Sequence, residues 1–233
     1  MRALRIVLVV EGPSDHRRLG ILFDEVFESH GIEWSRESFD VADWLAQKDI
    51  RHRHRTEVDA GGFGRPARGF GAQQRGDREN IRLLVQLLTK RGLTNRDDVV
   101  VCWARDVDRD DDRHLAARDG PWGPFSRRLH ALASECGEAW VIAGWPATGD
   151  GRRAAAAVRK SMRLVFDPIA APHRLSHKAD APTSAKRCLA KLLESGVADE
   201  ADCLTRAARE RPRGVGESGL AAFLDELHTL AST

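Results

Sequence analysis

No stretch of the 233-residue chain approaches the roughly 18 consecutive apolar residues needed to cross a bilayer. The four cysteines, Cys102, Cys136, Cys188 and Cys203, form no CxxC pair, and no histidine is spaced to complete a zinc site with them. They read as reduced, packed thiols. Neither sign of charge dominates: the formal net charge is +2, so the overall balance does not argue for nucleic acid. A Walker motif is missing, and any nucleotide hydrolysis therefore has to come from a partner. There is no internal repeat and no coiled-coil heptad. Met1 to Val10 lacks a signal-peptide cleavage site and runs straight into Glu11 and Gly12, so it reads as a strand and the chain as cytoplasmic.

What remains is an ordinary apolar content, enough for a core. Residues 4–10 are β-branched and nearly all apolar, as in a strand buried on both faces of a parallel sheet. Gly12 and Pro13 break that run, and Ser14 or Asp15 can cap the helix carrying Leu19, Leu22, Phe23, Val26 and Phe27. A helical turn is expected near Phe39–Leu45. Asp77 is expected to cap an amphipathic helix through Ile81, Leu84 and Leu88, which Gly92 ends. Val99–Ala104 is a second buried strand. Residues 126–135 and 140–145 could each be strand or helix, because periodicity does not arbitrate runs this short. Gly149-Asp150-Gly151 is a turn signal, and helices are expected over 152–165, 183–195, 199–210 and 217–231. These readings give an α/β fold, a mostly parallel sheet flanked by helices. Residues 1–145 form the core, and 146–233 a helical C-terminal extension packed on it.

Two acidic positions stand out. Glu11 directly follows the first buried strand, and Asp106-Val107-Asp108 follows the second. In open α/β sheets, ligand sites lie beyond the carboxyl ends of the strands. Alternation in extended chain would point Asp106 and Asp108 the same way. Carboxylates so crowded repel unless a cation sits between them. Oxygen-only ligation suits Mg2+ or Mn2+, ions that serve phosphoryl chemistry. The competing reading is a solvated acidic loop.

A Glu after the first strand and a DxD after a later one resemble the Toprim signature. The EGxxD form, with Asp15, looks like the OLD-family nucleases and small stand-alone Toprim-like proteins of bacterial defence loci. The resemblance is firm over residues 4–30 and 98–112 and loose elsewhere. It implies a Toprim-like, Rossmannoid fold and a metal-dependent nuclease, with Glu11 as ligand or general acid/base and Asp106 and Asp108 as ligands. Asp15 would be a further metal ligand. Glu138-Ala139-Trp140, Phe166-Asp167-Pro168 and Ser184-Ala185-Lys186-Arg187 resemble downstream segments of small OLD-like proteins. By that likeness Glu138 adds a metal ligand and Lys186 contacts the scissile phosphate. The plainer alternatives are a surface Glu and a solvated helix Lys.

Arginine greatly outnumbers lysine, a bias that suits phosphate but that a GC-rich genome would also produce. Residues 51–78 form an Arg/Gly-rich loop in which Arg65, Arg68 and Arg75 could follow a phosphate backbone; a plain surface loop is the other reading. The expected partner is nucleic acid, DNA before RNA, with a separately encoded ATPase as a further expectation from the resemblance and self-association left open. Two other readings stay open. One is a catalytically inactive Toprim-like subunit that binds a partner or nucleic acid. The other is an RNase or primase-like phosphotransferase, although no zinc module accompanies it.

Overall fold

The computed structural model of the protein describes residues 3–10, 13–40, 72–107, 111–134 and 136–233. Four strands form one all-parallel sheet: β1 (Ala3–Val10), β2 (Glu33–Asp40), β3 (Val99–Asp106) and β4 (Arg128–Ala133), in the order β2-β1-β3-β4. Helix α1 (Pro13–Ser29) connects β1 to β2, and α2 (Ala72–Lys90) precedes β3. A short α3 (Asp111–Arg118) lies between β3 and β4. Five further helices follow: α4 (Gly137–Ala143), α5 (Gly149–Ser161), α6 (Ala185–Leu193), α7 (Glu200–Glu210) and α8 (Leu220–Ser232).

Alternation along the strands assigns each face its partners. Leu4, Ile6, Leu8 and Val10 of β1, with Val100, Cys102 and Ala104 of β3, pack against α1 and the C-terminal helices. Val7 and Val9, with Val99, Val101 and Trp103, pack against Ile81, Leu84 and Leu88 of α2. Both inner strands are buried on both sides, which is why they read as unbroken apolar runs. Phe23, Phe27, Leu204, Phe223 and Leu227 belong to the same cluster as the first face, so the C-terminal helices share the core of the sheet. Each such side chain, fully buried, contributes about 1.5–3 kcal/mol.

Several expectations change. Residues 33–40 are a strand that the sequence did not announce, and β2 ends where a helical turn was expected; positions 41–45 lie outside the described residues. Residues 128–133 are strand and 137–143 helix. Gly149 opens α5 at φ +54 instead of marking a free turn. Asp77 is not a cap. It lies inside α2, 2% exposed, and pairs with Arg105 of β3 at 3.1 Å.

The outer flank of β4 is covered. Glu226 of α8 accepts the backbone N–H of His130 at 2.7 Å. The carbonyl of Ser218 accepts Ser134 N at 3.0 Å and Trp140 Nε1 at 2.8 Å. Edge donors that would otherwise face solvent are thereby met.

Candidate functional site

The chain runs from β1 to β2 on one side and then crosses to β3 on the other. The switch point therefore lies between β1 and β3, where an open parallel sheet offers a crevice at its carboxyl edge. Val9 pairs with Trp103, so β3 continues past that register to Asp106 beside the end of β1. Asp106 falls on the α1 face by the alternation that buries Val100, Cys102 and Ala104 there. Arg105 points the other way, to Asp77.

The crevice at this edge is lined by Asp15, Arg18, Asp106, Gly137 and Trp140, with Ala104, Ala131 and Ala133 in its wall. The free space between these side chains is about 20 Å³, room for a water and not for a nucleotide. A substrate would have to lie across its mouth. The larger, open groove between α1 and the start of α7, lined by Arg17, Ile21, Val197 and Asp199, does not include the end of β3.

Arg18 is the residue the sequence reading missed. Its side chain is 6% exposed and meets three carboxylates from three helices. Nη2 donates to Glu138 Oε1 at 3.3 Å, Nη1 lies 3.8 Å from Asp15 Oδ1, and Nε lies 3.5 Å from Glu200 Oε2 without a directed hydrogen bond. Burial works against the guanidinium charge, but Glu138, Glu200 and Asp15 outweigh it and hold Arg18 above its ordinary range. Burial likewise disfavours the Glu138 carboxylate. Arg18, a backbone N–H and the Cys136 thiol overcome this and keep Glu138 below the usual range. Cys136 is pushed up by burial and by the charges of Glu138 and Asp106. Gly137 makes the approach possible: a Cβ there would lie 2.9 Å from Arg18 Nη1 and 3.3 Å from Asp15 Oδ1. The signal available in the sequence was an arginine in line with Leu19 and Leu22 on the apolar side of α1.

The expected site residues fall into three groups. Asp15, Asp106 and Glu138 come together at this edge. Lys186 is exposed on α6 and does not line the crevice. Glu11, Asp108, Arg65 and Arg68 lie outside the described residues; Arg75 falls within α2, with its side chain outside the description.

Among the described residues, no group of three or more His, Cys, Asp or Glu is gathered closely enough to hold a metal ion. A hard cation fits the donor type at Asp106, whose sequence neighbours supply further carboxylates. It fits Asp15 and Glu138 less well, because Arg18 already neutralises them. Comparison of the chain with protein-family models, with curated proteins and with solved structures found no match.

Proposed function

We propose that the protein is a divalent-metal-dependent nuclease that hydrolyses DNA phosphodiesters. The observation that carries this reading is the position of Asp106. It stands at the carboxyl end of β3, at the switch point beside β1, with Asp15 and Arg18 lining the same crevice and Glu138 paired to Arg18. Asp106, with Glu11 and Asp108, would hold Mg2+ or Mn2+. Such an ion, when bound, polarises the phosphate and lowers the pKa of a bound water. Arg18 keeps Glu138 ionised and oriented, so Glu138 can accept a proton from a water at the mouth of the crevice. The resemblance adds a setting in anti-phage defence and a separately encoded ATPase; a cytoplasmic location and self-association complete the proposal.

The test is cleavage of plasmid and single-stranded DNA, with RNA in parallel, in Mg2+ or Mn2+. Asp106→Ala and Glu11→Ala are expected to lower cutting at least about a hundredfold while leaving the fold intact. Full activity in both variants rejects the reading.

A second reading has its own support. Arg18 satisfies Asp15 and Glu138 without any metal, as expected of a Toprim-like subunit that binds and does not cut. Calorimetry that detects no Mn2+ binding, together with no cleavage by the native protein, selects this alternative.

A further inference from the structure

Charge is unevenly distributed along the chain. Residues 149–193 hold ten Lys or Arg against three Asp or Glu, a local excess of seven; with +2 overall, the rest of the chain is net negative by five. Several exposed arginines elsewhere are matched: Arg17 with Glu200, Arg96 with Asp98, Arg209 with Glu25 and Arg211 with Asp225. On α5 and its surroundings only Arg153 is, with Asp150, among the described residues. Arg152, Lys160, Arg163, Lys178 and Lys186 are exposed and form no ion pair among the described residues.

The cations sit on helical spacing. Arg152, Ala156 and Arg159 occupy one stripe of α5, and Arg153, Ala157 and Lys160 the next. Within a stripe the two cations are about 10 Å apart along the axis, with exposed alanines between them that leave a low floor. Helix α5 packs against α6, which adds Lys186 and Arg187. Helix α6 in turn packs against α4, the helix that carries Glu138.

We infer that the exposed face of α5, extended by α6, binds the phosphate backbone of a nucleic acid without reading its sequence. A protein partner would need apolar anchors, and a membrane surface a broad apolar face. Among the described residues the exposed large apolar side chains are only Leu115 and Val165. Nucleic acid asks only for cations that can replace condensed counterions. The inference rests on the nuclease reading for the class of partner and does not require the metal.

The experiment is fluorescence anisotropy of a short labelled DNA duplex and of single-stranded DNA and RNA, with EDTA present. Salt is raised from about 50 to 200 mM. The native protein is expected to bind with a steep salt dependence. Replacing Arg152, Arg159 and Lys160 together (Arg152→Gln, Arg159→Gln, Lys160→Gln) should weaken binding at least about tenfold and make the salt slope shallower by about 3. The paired-arginine control, Arg96→Gln with Arg209→Gln, should bind as the native protein does. Unchanged affinity and slope in the triple variant, with native circular dichroism, overturns the inference. So does absence of nucleic-acid binding by the native protein at low salt, or tighter binding to phosphatidylserine vesicles than to nucleic acid. Because EDTA removes divalent ions, failure here is distinct from failure of the nuclease reading, which cleavage reports.

Discussion

Arg18 of α1 and Glu138 of α4 meet at 3.3 Å, 120 positions apart in sequence, and their contact ties the carboxyl edge of the sheet to the C-terminal helices. An arginine surrounded by Asp15, Glu138 and Glu200 answers the repulsion of three acids as a metal ion would, but as a fixed part of the chain.

Arg18→Gln removes that cation and leaves the acids facing one another. A fully buried pair broken this way costs about 3–5 kcal/mol. These carboxylates keep 18–27% exposure, so the expected loss is about 2–3 kcal/mol. The melting temperature should fall roughly 4–12 °C. Added Mn2+ should raise it more in the variant than in the native protein, because a cation can then occupy the vacated place. Equal melting of the two proteins without metal argues against a structural role for the pair.

Acid should loosen the same junction. Glu138 and Glu226 both sit below the ordinary carboxyl range in the fold: burial opposes their charge, but Arg18 and His130 respectively outweigh it. A depressed folded pKa means that the stabilisation is complete above the unfolded value, about 4.3. It is lost as pH falls through the lower folded value. Urea midpoints should hold from pH 7 to about 5 and then drop, and Glu138→Gln should flatten part of the drop. A native profile with no slope on the acid side counts against both pairings.

Gly144, just past α4, lies against α7, where a Cβ would overlap the Cys203 carbonyl oxygen. Gly144→Ala must push α7 away and with it Glu200, which reaches Arg18. Overpacking of this kind costs about 2–3 kcal/mol. Denaturant unfolding measures the cost, and a neutral result would mean that α7 shifts freely.

All four cysteines are buried. Burial lifts Cys188 and Cys203 to about 12 and pushes Cys102 and Cys136 up as well. A thiol reagent at pH 8 should modify none of them quickly in the native protein and all four in guanidinium. Rapid native labelling of any one would place it at the surface.

The inner strands were legible because both of their faces are covered, so the apolar run of Val99–Ala104 has no polar interruption. The edge strand β2 was not legible: Glu33, Ser35, Arg36, Glu37 and Ser38 carry none of that signature. Its pairing comes from β1 alongside it. Helix α4 defeated periodicity because its residues Ala139 to Ala143 are all buried and leave no polar face to read. Asp106 was legible as an acid at a strand end. The Arg18 cluster was not, because Glu200 approaches from 182 positions away and only the folded α7 brings it there. Asp77 misled because an acid at the start of an apolar pattern is usually a cap, whereas here Arg105 compensates its burial within the helix.

The carboxylate of Glu226 on the outer flank of β4 also bears on self-recognition. A foreign strand arriving there would find the His130 N–H taken and would have to displace an anion to use it. Backbone-to-backbone recruitment of neighbours on that side is thus refused at neutral pH, and the refusal weakens only where Glu226 gains a proton.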